Sequence, residues 1–521
     1  MLFEVECKAS FLRAHLHLFW KLSLLKQEIR NGGRLRKEDH EPKRLIVKGS
    51  AVQSIVINWL LILSTIMVKL TFFGGIDEIG GNKILVEDRK TRVFFDFGLS
   101  FAKGQEYYTG FLTPRSVAGA ADDLELGVLP RIKGLYSKDM LKFTDLRYEK
   151  PRFDAVFLSH AHTDHCSHLQ YLDESIPVFV GECTLRIIES FDPGKDEPAA
   201  FGEHSYQTFR TGMKIRVGDL VVEPVHVDHS VPGAYGYLIH TSAGTIAYTG
   251  DLRRHGPASF MTDEFVEKAS KADPVVLICE GTRLGRKEEG ENLGEAGVKR
   301  LAKDIVSKSK ELAIATFYGR DVDRIRTFYQ VAEECGRQFI VSMRTAHLLS
   351  KLKDDKVLKL PDPLRDKHIT IYARRKKSGE YQEKDYYNWE RPYLQNSVGY
   401  KHIQENCKEC LLNLDLYNFA ELVDIKPKRG EFIHSMSEPF SEGGMDQIEA
   451  TVMQRWLQHF NLSFHQAHAS GHCSQKDLKW LIGKIKPKSL IPIHTECSQM
   501  FKELTDIKIM QSELQKPMQF T

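Results

Sequence analysis

The sequence lacks a framework of paired cysteines. Its 521 residues include nine cysteines without regular spacing, and Cys166, Cys279 and Cys473 lie in apolar runs or beside histidine-rich segments. This usage is typical of a reducing compartment rather than of secreted, disulfide-stabilised proteins. The chain also shows no long low-complexity tract and no internal repeat. We therefore expect a cytoplasmic globular protein.

The chain also lacks a strong net charge. Its formal net charge is +3, and residues 67–521 alone contain 62 Lys+Arg against 64 Asp+Glu. A near-neutral protein has no global basic field that would attract the phosphates of a nucleic acid.

Basic residues do gather locally, in a stretch where aromatic side chains alternate with them. The stretch contains Arg365, Lys367, Arg374, Arg375, Lys376 and Lys377 together with Tyr372, Tyr381, Tyr386, Tyr387 and Trp389. Such a mixture can follow the phosphates of a single strand and stack on its bases. A solvated loop is the alternative explanation.

The length of the chain indicates two domains and an N-terminal extension, because 521 residues exceed one ordinary core. Residues 1–66 match nothing in the later pattern, and Met67 stands directly before the first predicted strand. No charge occurs between Lys48 and Lys69, so residues 51–68 approach the lower length limit of a membrane span. Three interpretations stay open for the extension: a start-site artefact or dispensable segment, a membrane anchor, or a packed helix.

Six residues carry the densest set of metal-ligand side chains, and they read His160-Ala161-His162-Thr163-Asp164-His165. The preceding apolar run 154–158 predicts a buried strand, so these residues lie at a strand end. Neutral imidazoles and carboxylates suit a borderline divalent ion such as zinc. In a turning loop His160 and His162 point one way, whereas Asp164 and His165 point another. The spacing therefore predicts two adjacent metals.

Four more segments end a predicted strand with a histidine or an aspartate. They are Val93–Asp96, Pro224–His229, Ile246–Asp251 and Leu490–His494. Together with the six residues above, they resemble, in chain order, the motifs of the metallo-β-lactamase superfamily. In the second segment His229 matches the superfamily pattern better than His226, because Val231-Pro232-Gly233 follows it.

A second set of motifs resembles the β-CASP group, the branch of this superfamily that cuts nucleic acids. Glu280 ends the apolar run 275–280 as in motif A, residues His468 to His472 resemble motif B, and His494 resembles motif C. The apolar run 312–317, followed by 320–335 at helical period, predicts the first unit of an inserted α/β domain. Residues 67–510 thus resemble ribonuclease J and its archaeal and bacterial relatives.

This resemblance implies an α/β fold, a metallo-β-lactamase αββα sandwich with an inserted α/β β-CASP domain. The expected division is an extension (1–66), the first part of the metallo-β-lactamase domain (67–285), the β-CASP domain (286–455) and the C-terminal part of the metallo-β-lactamase domain (456–521).

The resemblance also implies two zinc ions, with manganese as an alternative. The first is expected on His160, His162 and His229, the second on Asp164, His165 and His494, with Asp251 between them. Two adjacent ions lower the pKa of a shared water molecule, which can then attack phosphorus. Asp96 is expected to orient a ligand histidine.

Two further residues are expected to act in catalysis beside Asp164 and Asp251. His472 is the candidate for contacting the scissile phosphate or protonating the leaving oxygen, and Glu280 is its expected orienting partner. His468 and Ser437 are candidates for contacting the substrate phosphate, and a purely structural role is the alternative for both.

The function expected from these motifs is zinc-dependent hydrolysis of phosphodiester bonds, with RNA as substrate and DNA as an alternative. Ribonuclease J has a serine-rich, glycine-containing loop where this chain has Ser435-Met436-Ser437-Glu438-Pro439, so exonuclease and endonuclease modes both stay open. We expect no room for the dimerising C-terminal domain of many ribonuclease J proteins, and a homodimer is left open. The rival functions are hydrolysis of a small molecule (a lactone, thioester or cyclic phosphodiester) and a non-catalytic binding subunit.

Overall fold

The computed structural model of the chain describes residues 67–109, 111–191, 201–285, 293–437 and 445–520. Three seven-stranded sheets organise this part of the protein. Residues 51–66 of the apolar stretch, and the rest of the N-terminal extension, lie outside the described residues. No helix within the described ranges is long and apolar enough to cross a membrane.

The first sheet has the order β21-β1-β2-β3-β4-β5-β6. Its strands are β1 (Val68–Gly74), β2 (Lys83–Asp88), β3 (Thr91–Phe95), β4 (Ala155–Leu158), β5 (Val178–Gly181), β6 (Tyr206–Phe209) and β21 (Met518–Phe520). From β3 to β6 the neighbours run parallel, and the pairs on the other side are antiparallel.

The second sheet has the order β20-β19-β11-β10-β9-β8-β7. Its strands are β7 (Ile215–Val217), β8 (Leu220–His226), β9 (Tyr235–Thr241), β10 (Gly244–Tyr248), β11 (Val276–Glu280), β19 (Ser489–Ile493) and β20 (Lys508–Ile509). Here β10, β11, β19 and β20 run parallel to one another.

The apolar faces of these two sheets share one buried core. Phe157 of β4 lies at its centre, with its ring stacked on Phe179 at a centroid distance of 4.6 Å and on Phe95 at 5.5 Å. Truncating such a buried ring to alanine costs about 3–5 kcal/mol. Helices pack outside the two sheets, which gives the αββα sandwich implied by the motifs and confirms that prediction.

The third sheet is entirely parallel and has the order β15-β14-β13-β16-β12-β17-β18. Its strands are β12 (Leu312–Thr316), β13 (Gln338–Ser342), β14 (Ile369–Tyr372), β15 (Ser397–Val398), β16 (Cys410–Asn413), β17 (Gly430–His434) and β18 (Leu462–Gln466). Along β12, Leu312 and Ile314 enter one core while Ala313 and Ala315 enter another. A strand buried on both faces needs such a continuous apolar run.

This third sheet is the inserted α/β domain, so that prediction is also confirmed. The predicted limit at residue 455 falls within helix Met445–His459, and β18 follows that limit in the chain. The three boundaries between the four predicted segments stay predictions.

The helix predicted directly after β12 is present. The helix predicted over 320–335 spans Val322–Glu334, and Asp321 caps it by accepting a hydrogen bond from the amide of Arg324. The α-helices of the described residues are α1 (Phe101–Tyr107), α2 (Ala121–Glu125), α3 (Thr163–Cys166), α4 (Glu182–Phe191), α5 (Ser259–Lys271), α6 (Glu295–Lys308), α7 (Val322–Glu334), α8 (Met343–Leu352), α9 (Arg391–Leu394), α10 (Tyr400–Glu405), α11 (Glu421–Ile425), α12 (Met445–His459), α13 (Gln475–Ile485) and α14 (Phe501–Leu504).

Candidate metal centre and the adjoining cavity

The predicted site residues follow the carboxyl ends of parallel strands. Asp96 comes after β3 and His160 after β4, whereas Asp251 comes after β10 and His494 after β19. Glu280 is the last residue of β11. Parallel strands bring their carboxyl ends to one edge of a sheet, and the two facing sheets therefore deliver these side chains to the same end of the sandwich.

Seven side chains meet there in two groups that share Asp251. One group contains His160, His162, His229 and Asp251, and the other contains Asp164, His165, Asp251 and His494; within each, the candidate ligand atoms lie within 4.8 Å of one another. The split between His160 and His162 on one side and Asp164 and His165 on the other is the one that the loop geometry predicts. His226 belongs to neither group, and its ring packs on Tyr235 at 4.1 Å instead.

The first group is a ring of imidazoles around one carboxylate. Nδ1 of His162 lies 3.0 Å from Nε2 of His160 and 3.1 Å from Nε2 of His229. Burial holds the pKa of His160 and of His229 well below the usual range, so both rings are neutral and offer a lone pair. Nε2 of His162 and Oδ1 of Asp251 are buried, and no hydrogen-bond partner for either lies among the described residues. A divalent cation would satisfy this donor set.

The second group carries more negative charge. Nε2 of His494 lies 3.0 Å from Oδ2 of Asp164 and 3.6 Å from Oδ2 of Asp251, and Nε2 of His165 lies 3.1 Å from the same Asp251 atom. Burial alone would lower the pKa of His494, yet the two carboxylates raise it to about 9. In the absence of metal a proton on His494 therefore offsets this charge, and a cation would take its place.

Asp96 contacts the loop that carries His160 to His165, here called the metal loop, and holds it in position. Its carboxylate accepts hydrogen bonds from the amide (2.7 Å) and hydroxyl (2.8 Å) of Ser159 and from the hydroxyl of Tyr248 (2.7 Å). It also lies 2.8 Å from Nδ1 of His165, which fixes Nε2 of that ring toward Asp251. This contact suits an orienting role for Asp96, and the role itself stays a prediction.

The loop that follows Asp96 passes against the backbone of the metal loop. A Cβ atom on Gly98 would lie 1.8 Å from the carbonyl oxygen of Asp164, so no other residue fits without moving that ligand. Asp96 (φ 59°) and His494 (φ 54°) both adopt the left-handed backbone conformation. Non-glycine residues in this region carry strain of about 1 kcal/mol or more, and they cluster at functional sites.

His472 and Glu280 lie together at the rim of the second group. Nδ1 of His472 is 3.4 Å from Oε1 of Glu280 and 4.0 Å from Oδ2 of Asp251. Glu280 is fully buried, whereas the side chain of His472 is 18% exposed. A buried carboxylate behind a histidine that reaches solvent is an arrangement suited to proton transfer.

The structure does not bring His468 and Ser437 into either metal group. Nδ1 of His468 lies 3.2 Å from the carbonyl oxygen of Ser435, which also accepts a hydrogen bond from Arg324 (2.6 Å). Burial lowers the pKa of His468 to about 3, so the ring is neutral and poorly suited to bind a phosphate by charge. Ser437 lines a separate cavity in the inserted domain.

This cavity, of about 750 Å³, opens at the carboxyl ends of the strands of the third sheet. Ends of parallel strands are the usual place for ligands in such sheets. Its walls are rich in aromatic and basic side chains, including Tyr318, Arg344, Tyr372, Arg374, Lys376, Tyr386, Tyr387, Trp389 and Phe464.

The basic and aromatic stretch predicted from the sequence is only partly in this cavity. Arg374 and Lys376 line it, whereas Arg365 projects into solvent with its side chain 87% exposed. Lys376 is neutralised by Glu390 at 2.6 Å. The guanidinium of Arg344 lies 4.0 Å above the ring of Trp389, and within the described residues neither Arg344 nor Arg374 forms an ion pair. The lining also contains the carboxylates of Asp415 and Glu449, so the two arginines are local cations in a wall of mixed charge.

Two residues that the sequence did not single out connect the cavity to the metal centre. Tyr318 lines the cavity, and its ring contacts the ring of His162 edge-on at 5.4 Å. The buried guanidinium of Arg320 donates a hydrogen bond to the carbonyl of Ala161, between two of the candidate ligands. Both lie directly after β12, and the only sequence signal for them was their place at a strand end.

Two protein families match this chain, one over the motifs from His160 to Glu280 and one over the motifs from His468 to His494. The β-lactamase superfamily domain matches residues 136–304, which include His160 to Glu280. The Zn-dependent metallo-hydrolase RNA specificity domain matches residues 459–507, which include His468, His472 and His494. The resemblance predicted from the motifs is therefore confirmed, and the zinc dependence named for the second family supports zinc at this centre.

Curated relatives extend the likeness to most of the described chain. Ribonuclease J of Helicobacter pylori strain J99 is 23% identical over 445 residues, which make up 82% of this chain and 56% of that protein. Ribonuclease J of Pyrococcus abyssi is 23% identical over 455 residues, or 82% of this chain and 90% of that protein. The chain thus spans little more than half of the length of the Helicobacter relative.

A solved structure shows the same fold. The crystal structure of a protein of unknown function from Enterococcus faecalis V583 matches with a TM-score of 0.66 and 24% identity, covering 87% of this chain and 100% of that one.

Proposed function

Since the chain combines a metallo-β-lactamase sandwich, an inserted β-CASP domain and ribonuclease J-like motifs, we propose that it is a two-zinc hydrolase that cleaves phosphodiester bonds in RNA. The observation that carries this proposal is the sharing of Asp251 between two ligand groups, with His472 beside them. Bound zinc or manganese would activate a water molecule and neutralise charge on the phosphoryl oxygens.

The proposal assigns the following roles to the residues of the chain. Asp164, His165 and His494 would hold one ion, His160, His162 and His229 the other, and Asp251 both. Asp96 fixes His165, and His472, backed by Glu280, donates a proton to the leaving oxygen or contacts the scissile phosphate. Ser437, which lines the cavity, and His468, which is not among its lining residues, remain candidates for substrate contacts.

The cavity supplies the substrate-binding part of this proposal. Unpaired arginines attract the backbone of a nucleic acid, and exposed rings such as Tyr387 (51% exposed) offer faces for unpaired bases. Single-stranded RNA fits this chemistry better than a duplex, whose bases are already stacked. Because Glu390, Asp415 and Glu449 also line the cavity, phosphate contacts would depend on individual arginines rather than on a net positive field. A cytoplasmic location fits the eight free cysteines of the described residues.

The test is cleavage of end-labelled RNA and DNA, each with a 5′ hydroxyl or a 5′ monophosphate, by protein loaded with zinc or manganese. We expect RNA to be cut, and the labelled fragments then separate endonuclease from exonuclease action. His229→Asn should abolish cleavage, whereas His226→Asn, three residues away and outside both ligand groups, should preserve it.

The rival functions predict different results in the same experiment. Hydrolysis of a cyclic phosphodiester or a lactone without cleavage of RNA would identify a small-molecule hydrolase. RNA binding without any hydrolysis would identify a non-catalytic subunit. Gel filtration of the same protein decides whether it is a homodimer.

A further inference from the structure

The threonine after motif A lies between two histidines of the centre. The hydroxyl oxygen of Thr282, which is 4% exposed, lies 2.8 Å from Nδ1 of His494 and 3.1 Å from Nδ1 of His472. It also lies 2.9 Å from Oε2 of Glu280, and the amide of Thr282 donates to the same carboxylate oxygen at 2.9 Å. One hydroxyl therefore contacts three groups of the site.

A hydroxyl has one proton and two lone pairs, which limits how these contacts can be made. The acceptors within reach of the proton include the carboxylate of Glu280 at 2.9 Å and the carbonyl of His494 at 3.3 Å. The carboxylate is closer and charged, so it takes the proton. Both lone pairs are then left for the imidazoles, and each Nδ1 must carry a hydrogen.

We infer that Thr282 is a positioning residue that sets the tautomer of His472 and His494 together. With hydrogen on Nδ1, each ring presents an Nε2 lone pair. On His494 this nitrogen faces Asp164 and Asp251, where a metal is expected. On His472 it is the nitrogen that exchanges a proton with, or contacts, the substrate. One hydroxyl thus couples a metal ligand to the acid–base residue.

The geometry makes Glu280 the origin of this coupling. Its Oε2 orients the hydroxyl, and its Oε1 lies on the Nδ1 side of His472 at 3.4 Å. Through its hydroxyl, Thr282 extends the orienting effect of Glu280 to the ring of His494, which Glu280 is not observed to contact directly. The inference rests on the proposed function for its catalytic consequence, but the tautomers themselves can be observed without any RNA.

The first experiment is a long-range proton–nitrogen NMR spectrum of the zinc-loaded protein, with His472→Gln used to assign the signals of His472. We expect hydrogen on Nδ1 of His472 in the wild type and a loss of that preference in Thr282→Val. Hydrogen on Nε2 of His472 in the wild type would overturn the inference. This outcome does not depend on the substrate, so it is separable from a failure of the ribonuclease proposal.

The second experiment compares Thr282→Val, which keeps the shape, with Thr282→Ser, which keeps the hydroxyl. Loss of an orienting partner typically costs 10–100-fold in metal affinity or activity. Thr282→Val should therefore bind zinc more weakly by about 10-fold or more. It should also lower kcat with little change in KM, and alter the pH profile of kcat. Thr282→Ser should restore both values to within about threefold.

Thr184→Val is the matched control, because it removes another buried threonine hydroxyl, one that donates to the carbonyl of Gly233 at 2.7 Å. Equal losses in Thr282→Val and Thr184→Val would assign Thr282 a packing role only. Wild-type zinc affinity and kcat in Thr282→Val would also contradict the inference.

Discussion

The metal centre and the cavity of the third sheet are neighbours that present different kinds of side chain to a ligand. The centre converges on the buried carboxylates of Asp164 and Asp251, whereas the cavity combines aromatic rings with Arg344 and Arg374, for which the described residues show no ion pair, and with the carboxylates of Asp415 and Glu449. Buried carboxylates select cations and hold them in fixed geometry, and a partly exposed basic and aromatic wall suits a long, adaptable polyanion. The difference indicates that chemistry and substrate binding can be altered separately, with Tyr318 at the boundary.

The largest effect is expected from removing the carboxylate of Asp251, which both ligand groups share. Asp251→Ala should lower turnover by about 10³-fold or more, because both ligand groups lose a member. The variant also loses one negative charge that attracts cations. Elemental analysis should show fewer than two metals per chain. Asp219→Ala removes an exposed carboxylate paired with Arg89 and is the control. An Asp251→Ala protein that retained two metals and full activity would refute the assignment.

A smaller effect is expected at the rim of the centre. His472→Ala should keep both metals and lose about 10²–10⁴-fold in kcat, the usual contribution of a general acid or base. The measurement is single-turnover cleavage together with metal content. If this variant lost metal instead, His472 would be a ligand rather than the acid–base residue beside the metals.

On the other side of the comparison, Tyr387→Ala should weaken substrate binding while leaving the chemistry intact. Stacking of one base contributes about 1–3 kcal/mol, so KM for single-stranded RNA should rise by about 5-fold or more while kcat changes little. Hydrolysis of a small phosphodiester should be unchanged. Tyr107→Ala, at another half-exposed tyrosine that does not line the cavity, is the control. A fall in kcat on the small substrate would show that the two regions are not separable.

The smallest expected effect is on the stability of the metal-free protein. Because the pKa of His494 is raised to about 9 in the folded chain, its proton stabilises the fold fully below about 6.5, and this stabilisation is lost as pH rises through 9. The Tm of metal-free protein should therefore fall between pH 7 and pH 9, by a few degrees. Zinc should remove this dependence, and so should His494→Gln. A Tm that was flat over this range without metal would contradict the charge balance between His494 and the two carboxylates.

The sequence alone predicted more of the metal centre than of the cavity. Short apolar runs predicted β3, β4, β10, β11, β12 and β19, and the site candidates are mostly the residues that end or follow these strands. Helix Gln475–Ile485 starts directly after Ser474, whose side chain caps it by accepting a hydrogen bond from the amide of Asp477. In the cavity, by contrast, one predicted stretch of basic and aromatic residues is divided between the wall and the solvent.

What the sequence by itself determined was therefore local. An apolar run followed by a histidine or aspartate fixes a strand and what stands at its end, because hydrophobic periodicity and ligand chemistry are properties of neighbouring residues. The tertiary structure decided which distant residues meet: Thr282 between His472 and His494, Arg320 on Ala161, and Tyr318 against His162. These contacts join segments far apart in the chain, and only the packing of the sheets sets their distances, since no local pattern encodes the approach of two remote backbones.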